Sequence, residues 1–212
     1  MSLGNVLIFG DSYSTYKGYN PEGYAVYYQP DGGDTDVRKV NETWWHKVIS
    51  ETDSNLLLNN SWSDSTIGYT GYNNSDCSKT SSFIFRLNQP KDNGFFEENK
   101  IDTVFVFGGT NDSWSNAPLG SPMFSDWKNE DLYNVLPAIG YFAHNLKETL
   151  PDANIIWLIN TDLKGEICDT MKKACDLCSI KYIAFKYIDK TCGHPTVKGM
   201  NDIKEQILEE IK

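Results

Sequence analysis

Apolar and polar positions along this chain fall into two alternating periods. Short, continuous apolar runs rich in β-branched and aromatic residues occupy positions 6–9, 56–58, 103–107, 155–159 and 182–185, each bounded by turn-forming residues. Runs of this length without polar interruption fit strands buried on both faces, as in a parallel sheet covered by helices. Between them, residues 42–51, 81–88, 131–149, 166–178 and 197–211 carry the three- and four-residue spacing of amphipathic helices. Strand and helix alternate five times. That order predicts an α/β fold, a three-layer doubly wound sandwich around a central parallel sheet of about five strands, with its functional cleft at the carboxyl ends of the strands. Helix limits are marked locally: Asn41-Glu42-Thr43-Trp44 can cap the first long helix, Pro151 lies just past the third, and Pro195-Thr196-Val197 precedes the last.

Two connections stand apart from the rest. Residues 13–41 and 61–80 are long, leave predicted strand ends and are dense in Tyr, Asn, Gly and Asp, which in a compact domain favours a functional role. The length of 212 residues suits one domain, residues 1–212, with Met1-Ser2-Leu3 reading as an expression remnant. A net charge of −10 lacks the basic footprint that nucleic acid or an anionic membrane surface requires. No apolar run approaches the roughly 20 residues that cross a bilayer, so a soluble protein is expected. The first strand begins too early for a secretory signal, which leaves the cytoplasm, or secretion after removal of a leader. Cys77, Cys168, Cys175, Cys178 and Cys192 are odd in number, and reduced thiols are the expectation. Cys175 and Cys178 have C-x-x-C spacing but fall in a helical pattern without a second pair or a nearby histidine, so no metal site is expected.

The candidate chemistry gathers where the strands end. The first run leads into Gly10-Asp11-Ser12-Tyr13, a junction at which an α/β enzyme can display a nucleophilic serine. A helix following that turn would aim N–H groups and its positive end at charge building up near Ser12. A serine hydroxyl is a weak nucleophile at neutral pH and needs a base and a group that holds an oxyanion. Of three histidines, His46 and His144 fall in helical patterns, whereas His194 occupies a loop before the last helix, from which an imidazole can reach across strand ends. Gly108-Gly109-Thr110-Asn111-Asp112 follows the third run, where the Asn111 amide can point at a carbonyl oxygen. No P-loop or G-x-G-x-x-G follows a strand.

Together these blocks resemble the SGNH (GDSL-type) hydrolase superfamily over nearly the whole chain, from Asn5 to Ile211. Gly10-Asp11-Ser12-Tyr13 matches the first block with Tyr where Leu is usual, and Gly109-Thr110-Asn111-Asp112 matches the third. Asn60-Ser61-Trp62-Ser63-Asp64-Ser65-Thr66 resembles the second, N-x-S-x-S-G-x-T, with Asp64 in the glycine's place. His194-Pro195 matches the end of D-x-x-H-P, but Thr191 stands where the acid belongs and the nearest acid is Asp189. The resemblance implies strand order 2-1-3-4-5 and a serine esterase or lipase that needs no cofactor. Ser12 would be the nucleophile and His194 the base, and the N–H groups of Ser12 and Asp64 with the Asn111 amide would form the oxyanion hole. Either Asp189 reaches Nδ1 of His194 to complete a triad, or a backbone carbonyl or the Thr191 hydroxyl orients a Ser–His dyad. Asp64 keeps the N–H donor yet adds negative charge near the oxyanion, which is unfavourable unless its side chain turns away or pairs. Aromatics close to the motifs, Trp62, Tyr13 and Trp114 among them, suit a sugar ring or an acyl group. The expected partner is therefore a small-molecule ester. An O-acetylated carbohydrate comes first and a short-chain lipid or lysophospholipid second, with a catalytically impaired carbohydrate-binding protein as the reading from another class.

Overall fold

A computed structural model describes residues 2–211. Strands β1 (Asn5–Gly10), β2 (Asn55–Ser61), β3 (Thr103–Phe107), β4 (Asn154–Ile159) and β5 (Lys181–Ala184) form one parallel sheet in the order β2-β1-β3-β4-β5. The apolar runs mark these strands to within a few residues. The largest difference is β2, which continues through Asn59, Asn60 and Ser61. It is an edge strand and only half-buried, so polar side chains are tolerated there.

The helices are α1 (Trp44–Glu51), α2 (Phe83–Asp92), α3 (Phe95–Glu98), α4 (Thr110–Trp114), α5 (Val135–Thr149), α6 (Gly165–Cys178) and α7 (Val197–Glu210). Alternate residues of each central strand serve opposite faces, as a period of two demands. Val6 and Ile8, with Phe105, Phe107, Ile156 and Leu158, pack against Trp44, Val48 and Ile203 of α1 and α7. Leu7 and Phe9, with Val104, Val106, Ile155 and Trp157, face Phe83, Ile139, Phe142 and Met171 of α2, α5 and α6. The result is the three-layer sandwich that the alternation predicted.

Local chemistry sets the helix starts. The side chains of Thr43, Ser82 and Thr196 accept from the N–H groups of His46, Phe85 and Gly199 and so cap α1, α2 and α7. The helical period over 131–149 resolves into a 3-10 turn, Asn129–Tyr133, followed by α5, whose Pro137 sits in the first turn where no intrahelical N–H bond is lost. Among the described residues, no helix is long and apolar enough to cross a membrane.

One small element was invisible in the pattern and positions the site. Strands β6 (Lys190–Thr191) and β7 (His194–Pro195) form an antiparallel hairpin in which Thr191 pairs with His194. Its two-residue loop, Cys192-Gly193, has φ of 48° and 79°. Left-handed values at both positions characterise the mirror-image turns whose twist matches paired strands.

Candidate active site

Ser12 follows β1 and opens a 3-10 turn of three residues, Ser12–Ser14, rather than the longer helix expected. A turn this short contributes no helix dipole of consequence, so local hydrogen bonds must fix the serine. The Asp11 carboxylate accepts from Tyr13 N–H at 3.0 Å, and the Tyr13 carbonyl accepts from Trp44 Nε1 at 3.1 Å. Asn59 of β2 donates to the Ser14 carbonyl at 2.9 Å. Asp11 is fully buried, and burial pushes its carboxyl up to about 7 against the opposing pull of the Tyr13 N–H.

The hairpin brings His194 over this turn. His194 Nε2 lies 3.1 Å from Ser12 Oγ, and Nδ1 lies 3.2 Å from the Cys192 carbonyl. A carbonyl can only accept, so Nδ1 carries the proton and Nε2 presents the lone pair that faces the serine hydroxyl. Both residues are almost fully buried. Burial lowers the His194 pKa below its ordinary 6.5, partly opposed by the Cys192 carbonyl and by the charges of Asp34 and Asp64. The Tyr13 hydroxyl donates to the Gly193 carbonyl at 2.5 Å and ties the hairpin to the serine turn.

Asp189 stands elsewhere. Its carboxylate accepts from the Thr196 hydroxyl and its carbonyl accepts from Thr196 N–H at 3.1 Å, so it fastens the start of α7. The approach is so close that a Cβ on Gly199 would meet the Asp189 carbonyl oxygen at 2.0 Å. The partner of Nδ1 is thus the backbone carbonyl and not Asp189. Thr191, exposed on the hairpin, makes no side-chain hydrogen bond among the described residues.

Ser12, Asp64 and Asn111 line one cavity, and each brings a candidate donor. The N–H groups of Ser12 and Asp64 have no protein acceptor among the described residues. Asn111, at the start of α4, donates one amide hydrogen to the Ser65 carbonyl at 2.9 Å and accepts from the Tyr72 hydroxyl at 2.9 Å, and its second hydrogen has no acceptor among the described residues. Asp64 has a φ of 63°, which explains why glycine suits this position. Its side chain turns to accept from the Tyr27 hydroxyl at 3.3 Å.

Ser12, His194, Asn111 and Asp64 line one cavity of about 450 Å³ with Tyr27 and Trp114. Of the expected aromatic contacts, Trp114 is there and 42 % exposed. Tyr13 is fully buried and Trp62 lines a different cavity beside β2, so neither is a lining residue of the serine's cavity. His46 lies on α1 and His144 pairs with Glu148 at 3.3 Å, both away from the serine. Sequence reasoning missed Tyr27, whose ring lies 3.8 Å from that of His194 with only 20° between their planes. Its position in the long loop 13–41 was the available signal. Asp112 was matched to the family block without a role. Fully buried, it accepts from the N–H groups of Ile67 and Gly68 at 3.0 and 3.4 Å and holds the second block against the third. Burial pushes its carboxyl up to about 6. Among the described residues, no group of His, Cys, Asp and Glu side chains could hold a metal ion.

A serine hydroxyl facing an imidazole at the carboxyl ends of a 2-1-3-4-5 parallel sheet is the architecture of hydrolases that cleave esters through a serine. Residues 4–211 match the sequence profile of the GDSL-like lipase/acylhydrolase family, and the chain belongs to that family, an ester-hydrolysing serine hydrolase. It is similar to a GDSL-like lipase-family protein from Bacteroides ovatus, at 39% identity and a TM-score of 0.89 over 100% of this chain and 99% of that one. A counterpart from Bacteroides uniformis also has 39% identity, with a TM-score of 0.88 over 98% and 95% of the two chains. A family two carbohydrate esterase from Clostridium thermocellum, in complex with cellohexaose, shares the fold at 16% identity and a TM-score of 0.66, over 99% of this chain and 63% of that one. No curated protein sequence matches the chain.

Proposed function

We propose that this protein removes a small acyl group, acetyl first among them, from an oxygen of a carbohydrate through a Ser12–His194 dyad and an acyl-enzyme. The observation that carries the reading is the His194 imidazole, with one nitrogen on Ser12 Oγ and the other on a backbone carbonyl. Ser12 gives its proton to Nε2 as Oγ attacks the ester carbonyl. The N–H groups of Ser12 and Asp64 and the Asn111 amide stabilise the oxyanion, and the imidazolium then protonates the departing alcohol. Water repeats the sequence on the acyl-enzyme. A cavity of about 450 Å³ lined by Tyr, Trp, Asn and Asp side chains supports a polar alcohol such as a sugar over a long acyl chain.

A panel of p-nitrophenyl esters, acetylated sugars and a lysophospholipid tests the substrate class. Acetyl esters should turn over fastest, with kcat/KM falling steeply beyond a few carbons; preference for long chains or for the lysophospholipid would replace this reading with a lipase. A fluorophosphonate should add once, at Ser12, by intact mass, and Ser12→Ala should lose both labelling and hydrolysis.

A further inference from the structure

The His194 imidazole has two edges and two faces. Its edges are occupied by Ser12 Oγ and the Cys192 carbonyl, as described. The carbonyl fixes the tautomer but carries no net charge to offset the imidazolium that forms when Ser12 gives up its proton. No carboxylate makes a hydrogen bond to this ring among the described residues. The charged groups that bear on it are Asp34, Asp64 and Lys190, and the aromatic rings beside it belong to Tyr13, Tyr27, Tyr28 and Trp114. Three of those rings are tilted or edge-on. Tyr27 alone is stacked, at 3.8 Å and 20°.

An aromatic face is negative, so a cation over it is attracted, and more strongly where water is excluded. A phenol that donates its proton to a carboxylate becomes richer in electrons across the ring. Tyr27 does this: its hydroxyl reaches the Asp64 carboxylate at 3.3 Å, and it stays protonated because burial and Asp64 raise its pKa to about 12. The same contact ties the Asp64 carboxylate to the ring that is stacked on His194.

We propose that Tyr27 is a positioning residue for His194, its ring face doing the electrostatic work of the missing triad carboxylate, and that Asp64 acts on the base through the Tyr27 hydroxyl. This rests on His194 being the base. Tyr27 holds the ring plane so that Nε2 stays aimed at Ser12 and favours the imidazolium over the neutral ring. The aspartate in the glycine's place of the second block thereby offsets the threonine in the acid's place of the last: the charge absent from the hairpin reaches the imidazole through the Tyr27 ring.

Steady-state hydrolysis of p-nitrophenyl acetate across pH tests this with Tyr27→Phe, Tyr27→Leu and Asp64→Asn, with melting temperatures checking that each variant is folded. Tyr27→Leu should lower kcat roughly tenfold to a hundredfold with KM within about threefold, and Tyr27→Phe, which keeps the face, should retain several times the kcat of the leucine variant. Asp64→Asn keeps an acceptor for the hydroxyl but removes the charge, so the acid limb of kcat/KM should move to lower pH by a few tenths of a unit. A folded Tyr27→Leu enzyme within threefold of the parent, a loss confined to KM, a phenylalanine variant no better than leucine, or an unmoved acid limb in Asp64→Asn would each overturn the proposal. Ser12→Ala and His194→Gln measured alongside separate the two readings. If both are dead while the Tyr27 variants are unaffected, only this inference fails; if both remain active, the dyad itself is wrong.

Discussion

Which group orients His194 is decided by the rotation of one short hairpin. The two left-handed residues Cys192 and Gly193 turn the chain so that the Cys192 carbonyl meets Nδ1, while the Asp189 side chain is spent on Thr196 at the head of α7. Asp189→Asn should therefore change kcat by less than about threefold, as an ordinary surface substitution would. A triad carboxylate would instead cost up to about 10⁴ in turnover, so single-variant kinetics separate the two. The pH profile of the parent follows from the burial of the same ring. With His194 as the proposed base, activity requires its neutral form; burial moves its pKa below 6.5, so that form persists further into acid than in an exposed histidine. The acid limb of kcat/KM should have its midpoint below 6.5 and vanish in no variant of His46 or His144; a midpoint above 6.5 would contradict the desolvated setting.

Between elements, the serine turn and the 60–66 segment are joined by a side chain that the matched motifs offered no reason to single out. Arg86 of α2 is fully buried, and it donates to the carbonyls of Gly10 at 3.1 Å and Ser81 at 2.9 Å, to the Ser65 hydroxyl at 3.0 Å and to the Asn60 carbonyl. One guanidinium thus gathers the ends of β1 and β2, the second block and the start of α2. Burial draws it down to about 9, with Asp11 opposing, so it is still charged near neutrality. Arg86→Met would leave those buried carbonyl and hydroxyl acceptors unsatisfied at about 1–3 kcal/mol each, of which about 3–5 kcal/mol should remain after local relaxation. The melting temperature should drop by roughly 6–20 °C, and a fall of only a degree or two would mean that the network is dispensable. The sequence placed Arg86 inside a helical period but could not assign it, because an arginine at helical spacing is ordinarily a solvated one. Strands and long helices were legible, since each buries an apolar face whose period is written locally. The hairpin β6–β7 was not. It holds four paired residues and no apolar alternation, and its shape comes from two φ values that a Cys-Gly pair only weakly advertises. Tyr27 escaped for a similar reason: the loop was marked as functional, but which of its tyrosines meets the base is set by tertiary packing.

Across the whole molecule, the sheet order and the family blocks agree because both express one constraint, that the reacting groups lie beyond the carboxyl ends of adjacent strands. Ser12 follows β1, Asp64 follows β2 and Asn111 follows β3, so the three donors proposed for the oxyanion come from adjacent strands β2, β1 and β3. His194, the proposed base, comes from a distant stretch of sequence. Ser12 and His194 are separated by 182 positions, and the hairpin that carries His194 is fastened through Asp189 and Thr196 to α7. During synthesis Ser12 emerges 182 residues before His194, which is about 9–36 s at an elongation of about 5–20 residues per second. On the proposed Ser12–His194 mechanism the serine remains an ordinary, unactivated hydroxyl through that interval, and hydrolytic competence arrives only when the β6–β7 hairpin docks. Ester hydrolysis would on that reading serve as a readout of hairpin docking, separate from formation of the sheet that presents the serine.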